Sequence, residues 1–155
     1  MEAENYSIGQ MSEITLRVVL GAIFIWAGTM KLLDLDSFVQ SVSHFQITPF
    51  DQAPWDMWIG YTLPAFEVIV GTCLILGILL KGAMVSTLVL CLSFLAAVVS
   101  AHTRGLNYEC GCFGRALSFE NTSLHISILS AMVILAITLM ILEISNAKAA
   151  TVKTD

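Results

Sequence analysis

Residues 58–101 read WIGYTLPAFEVIVGTCLILGILLKGAMVSTLVLCLSFLAAVVSA, and this stretch decides the fold. It holds two apolar runs, Trp58–Leu80 and Met84–Ala101, with Lys81-Gly82 between them. A run of about 20 apolar residues is long enough to cross a bilayer. A tight turn at Lys81-Gly82 makes the two spans antiparallel neighbours. Pro64 and Glu67 interrupt the first of them.

Working outward, Ile14–Leu33 is a further span with Arg17 and Lys31 near its ends, and Leu124–Ile144 is the last. Composition agrees. The chain of 155 residues is 57% hydrophobic and 12% charged, with a mean hydropathy of +0.83. A soluble domain carries roughly twice that share of charge, and one this small has too little interior to hide the apolar excess. The expected fold is all-α: a single membrane domain over residues 1–155, an integral antiparallel four-helix bundle. Met1-Glu2-Ala3-Glu4 lacks the basic region of a secretory signal, so the first span reads as a retained helix. Asn146–Asp155 reads as a frayed tail. The net charge of −5 and scattered basic residues point away from nucleic acid.

Asp34–Met57 is too polar to cross and too long for a turn. Phe38, Val42 and Phe45 recur at helical spacing after the candidate cap Asp36. This predicts a short helix between spans one and two, on the membrane surface or over the bundle mouth. Trp55 and Trp58 suit the interface.

An even number of spans puts both termini on one side. Basic residues nearly balance across the membrane, and Arg17 tips the count toward cytoplasmic termini. The segment 102–123 is then extracytoplasmic, where disulfides persist. In a bacterium this means a multi-pass protein of the inner membrane with this loop in the periplasm.

That loop carries Glu109-Cys110-Gly111-Cys112-Phe113-Gly114. Gly111 has no Cβ and takes the unusual dihedrals that a CxC ring demands. Strained, exposed disulfides are the labile and catalytic ones. Arg104 and Arg115 bracket the pair, and a nearby cation favours thiolate, while Glu109 acts against it. His102 is placed to relay protons. The bland alternative is a plain structural disulfide or two inert thiols. Zinc needs about four ligands, and neither His102 nor His125 has a recognised spacing, so no resident metal is expected. Copper(I) on two thiolates stays open. Cys73 and Cys91 fall mid-span and read as packing residues.

Glu67 is expensive in hydrocarbon and needs a partner or a proton. Lys31 enters the same depth, so a Lys31–Glu67 contact is expected; snorkelling is the alternative for Lys31. Gly21, Gly28, Gly71 and Gly77 let helix backbones approach closely. Phe24, Trp26, Phe66 and Phe113 are candidates to line a cleft for a quinone ring, with ordinary core packing as the alternative.

The stretches FIWAGTMKL at 24–32 and LPAFEVIVG at 63–71, followed by Leu76-Gly77, resemble the first two helices of DoxX-like membrane proteins. Arg104-Gly105 followed by CGCFG at 110–114 is similar to the branch called MauE. The resemblance runs from about Arg17 to Ile144. It implies a four-helix inner-membrane protein tied to redox work. Members are linked to maturation of a disulfide-rich periplasmic enzyme subunit, and others sit near thioredoxin-like partners.

Three functions compete. In the first, Cys110 and Cys112 exchange disulfides with a periplasmic thiol protein, thioredoxin-like or a disulfide-containing subunit. Arg104 and Glu67 assist in this reading. A quinone is the candidate cofactor, held by Trp26, Lys31, Phe66, His102 and Phe113. In the second, the chain is a membrane anchor or accessory subunit of a larger redox complex. In the third, it handles copper(I). Membrane lipid is a partner in all three.

Overall fold

The computed structural model describes residues 8–47, 49–105 and 122–152, and for residues 8, 122 and 147–152 the backbone alone. Those residues form five helices: α1 Ile8–Leu33, α2 Leu35–His44, α3 Trp55–Leu76, α4 Leu80–Thr103 and α5 Thr122–Val152. Four of them are long and apolar enough to cross a membrane, and α2 is not. The chain is a multi-pass helical membrane protein.

The long helices pack in a ring, α1 against α3, α3 against α4, α4 against α5 and α5 back against α1. The closest seam joins α1 and α3. A Cβ built on Gly21 would lie 2.7 Å from the Gly71 carbonyl oxygen, and one on Gly71 would lie 2.7 Å from that of Gly21. Seven residues along, a Cβ on Gly28 would lie 2.8 Å from the Pro64 carbonyl oxygen. Without a hydrophobic drive between helices in lipid, such backbone proximity is a main source of packing energy. The matched pairs run in opposite chain directions, so α1 and α3 are antiparallel.

The core has two layers. One gathers Phe24, Ala27, Val70, Leu90, Cys91, Val98, Leu129 and Met132, the other Leu20, Leu74, Ala83, Met84 and Leu139. Cys91 is part of the first layer and Cys73 packs against the second, so both serve as small apolar fillers. Large apolar side chains such as Ile69, Val89, Ile134 and Ile141 face outward, as lipid contact requires.

Three details differ from the sequence reading. The reversal expected at Lys81-Gly82 occurs at Gly77–Leu79. Gly77 takes a left-handed conformation (φ 71°), and the N–H groups of Gly77 and Ile78 both donate to the Cys73 carbonyl. Glycine ends a helix this way without a Cβ clash. Lys81 and Gly82 then fall in the first turn of α4. Secondly, Asp34 rather than Asp36 caps α2, accepting from the Ser37 N–H at 3.4 Å, while Asp36 joins the first turn. Thirdly, the tail read as frayed from Asn146 stays helical to Val152, in keeping with the helix-forming run Ala147-Lys148-Ala149-Ala150.

The short helix sits over the mouth of the bundle. Phe38 is buried, Val39 fits against Gly60 of α3, and Ser43 donates to Asp56 at 3.2 Å. Phe45 packs on the first core layer.

Candidate functional site

Lys31 and Glu67 meet inside the bundle. Lys31 is in the last turn of α1. Glu67 follows Pro64, which lacks an N–H and so releases the carbonyl of Gly60, four residues back, from the α3 ladder. The Lys31 ammonium donates to both Glu67 carboxylate oxygens, at 2.5 and 2.8 Å. Each residue is only 1% exposed. The ammonium also lies 4.5 Å from the centre of the Phe94 ring and 5.3 Å from that of Phe38. Desolvated cation–ring contacts of this kind contribute about 2 kcal/mol. Snorkelling is excluded, because the ammonium points inward to a carboxylate and two rings.

The pair borders a small cavity lined also by Phe24, Ala27, Cys91 and Met132. Its free volume of about 20 Å³ is room for one water. A quinone ring does not fit there. Phe113 lies outside the described residues, and Phe24 and Trp26 do not share a cleft. Phe24 is buried, whereas Trp26 is 39% and Phe66 45% exposed. Two residues apart on a helix means about 200° of rotation, so Phe24 and Trp26 look in opposite directions.

Arg104, read as a partner for a thiolate, has a structural task at the mouth. Its guanidinium donates to the carbonyls of Phe45 at 2.5 Å, Gln46 at 2.9 Å and Ser100 at 3.1 Å. It straps the end of α2 to the end of α4. Gln46 has a left-handed backbone (φ 49°) that turns its carbonyl out of the helical path. His102 is exposed at the end of α4, and His125 is buried near the start of α5.

Cys110, Cys112 and Phe113, with Glu109 and Arg115, lie outside the described residues. What is described is where their segment is tethered. It leaves α4 after Gly105 and joins α5 at Thr122, two helices that pack side by side. Lys31, α2 and Arg104 occupy this same end of the bundle.

Sequence reasoning found Lys31 and Glu67 from their depth. It missed Phe38 and Phe94 as the rings around the ammonium. The available signal was Phe94 standing one turn after Cys91, in the cysteine-side half of the run Met84–Ala101 as Glu67 is in that of Trp58–Leu80.

Comparison with known families identifies a match. The family described as methylamine utilisation protein MauE aligns with residues 10–143. No curated protein and no solved structure matches the chain.

Proposed function

Because this chain belongs to the MauE family, we propose that it is a membrane-held thiol–disulfide exchange protein with Cys110 and Cys112 as its working pair. The observation that carries the reading is the bundle end to which the CxC segment is tied. There Arg104 straps the end of α2 to the end of α4, and the buried Lys31–Glu67 pair joins α1 to α3. A reactive loop needs such a rigid base to present its thiols to a partner.

The exchange balances without any cofactor. A thiolate of a partner dithiol attacks one sulfur of the Cys110–Cys112 disulfide, and the other cysteine leaves as thiolate and takes up a proton. The partner's second thiol loses its proton and resolves the mixed disulfide. The partner ends oxidised and the CxC pair reduced; run backward, the same steps reduce a partner disulfide. The partner is a thiol protein of the oxidising side, thioredoxin-like or a disulfide-containing enzyme subunit. The scheme needs no quinone, because the partner dithiol supplies both electrons. The protein resides in the bacterial inner membrane, termini inside and the CxC segment in the periplasm.

The test uses a Cys73→Ala/Cys91→Ala background. Cys110→Ser and Cys112→Ser variants are trapped with acid and alkylated, and any attached protein is identified by mass spectrometry. One variant is expected to hold a reducible adduct and the double variant none. Absence of any adduct, with a pair still oxidised below about −300 mV, would mark an inert bridge instead. Labelling of the reduced pair by an impermeant maleimide in intact cells tests the sidedness.

A further inference from the structure

At the opposite end of the bundle, α3 and α4 part to leave a groove of about 590 Å³. Phe66, Ile69, Val70 and Cys73 form its α3 wall, and Leu80 and Ala83 line the α4 side. From Phe66 to the turn at Gly77 the groove runs about 16 Å at 1.5 Å per residue. That is about one leaflet of a hydrocarbon core some 30 Å thick. An apolar groove of this length in a bilayer is filled by hydrocarbon, and its dimensions match one acyl chain entering from the leaflet on the terminus side.

The mouth selects the headgroup. Lys81, Ser86 and Glu143 are the polar side chains lining the groove. Lys81 is exposed and Glu143 half-buried. Among the described residues neither forms an ion pair with the other or with any third group. Among the described residues the mouth therefore offers a cation and a carboxylate without an ion-pair partner. An anionic lipid would satisfy Lys81 and be repelled by Glu143. A zwitterionic headgroup satisfies both, its phosphate toward Lys81 and its ammonium toward Glu143. A primary ammonium also donates hydrogen bonds to a carboxylate, which a quaternary one cannot do.

We propose that the α3–α4 groove is a binding site for phosphatidylethanolamine, with one acyl chain between the helices and the headgroup bridging Lys81 and Glu143. The backbone at the mouth favours this. α4 starts there without a side-chain cap, so the N–H groups of its first turn are available to the phosphate.

The full chain, in detergent, is mixed with equal amounts of phosphatidylethanolamine, phosphatidylglycerol and phosphatidylcholine of identical chains. Native mass spectrometry then counts the retained lipids. Phosphatidylethanolamine is expected to exceed each of the others by about threefold, the scale of partly exposed charge pairs. Glu143→Gln should abolish its advantage over phosphatidylglycerol, and Lys81→Met should lower retention of both. Ser86→Phe, which fills the groove, should lower retention of all three lipids. Circular dichroism melts establish that each variant is folded. Equal retention of the three lipids by the parent chain overturns the proposal, and so does a folded Glu143→Gln variant with unchanged preference.

Discussion

Each end of the bundle holds an internal cation paired with a carboxylate, and the two pairs differ in kind. At the cysteine end, Lys31 and Glu67 touch at 2.5 Å with side chains 1% and 2% exposed. At the terminus end, Arg17 and Glu13 are 3.7 Å apart, one helical turn from each other, with 17% and 12% exposure. Arg17 there also donates to the Leu74 carbonyl at 3.2 Å, and Asn146 donates to Glu13 at 2.8 Å. The first pair joins two helices and is sealed by rings. The second lies on one helix and shares its charge among several groups near the membrane surface. Burial, more than charge count, decides what each contributes.

The sharpest way to break this contrast is to remove one charge at a time. Lys31→Met or Glu67→Ala leaves a lone ion in the bundle and is expected to lower stability by about 3–5 kcal/mol. Lys31→Met/Glu67→Leu removes both charges and should recover most of that loss, since apolar replacement of a whole buried pair is often neutral. Denaturant unfolding in detergent reads both. A double variant that is stable but inactive in thiol exchange assigns the pair a working role; one that is stable and active makes it purely architectural.

Next in size is the seam that brings α1 and α3 together. Gly71→Val places a branched side chain where the Gly21 carbonyl stands, and should lower stability by about 1–3 kcal/mol through overpacking. Gly82, whose Cβ would meet nothing within 4 Å, is the contrasting site. Gly82→Ala should stabilise by up to about 1 kcal/mol through the unfolded chain. The same unfolding curves compare them.

Arg104→Gln should loosen only the cysteine end. Amide exchange is expected to rise in α2 and the first turn of α3, with α5 near Leu139 unchanged. Exchange rising evenly through the bundle would show that the strap supports the whole fold. The smallest effect belongs to the terminus end, where Glu13→Gln should shift stability by less than about 1 kcal/mol.

Most of the architecture was legible because hydropathy writes membrane spans directly. Four apolar runs, an antiparallel bundle and a short helix between the first two spans all follow from run length and the spacing of Phe38, Val42 and Phe45. The seat of that helix over the mouth, rather than on the membrane surface, does not. Lys31–Glu67 was legible because two opposite charges at one depth in hydrocarbon have few alternatives. Arg104 was not. Proximity in sequence to the cysteines suggested a thiolate partner, while its actual acceptors, the carbonyls of Phe45 and Gln46, are nearly 60 residues away. The grouping of aromatics shows a related limit of reading along the chain: Phe24 and Trp26 are neighbours in sequence and opposed on the helix. The turn shifted because either glycine, Gly77 or Gly82, permits a reversal, and only the left-handed cap at Gly77 identifies the one used.

The close seam recurs after seven residues, Gly21 on α1 against Gly71 on α3 and Gly28 against the Pro64 carbonyl. A repeat of that kind resembles a ratchet with equal teeth: sliding α1 by one heptad, about 10 Å, would bring small residue against small residue again. Lys31 and Glu67 occur once each. A slip by one tooth strands both in hydrocarbon, so the charged pair is the key that fits a single notch. It fixes how far α1 reaches, and with it the height at which α2 roofs the bundle.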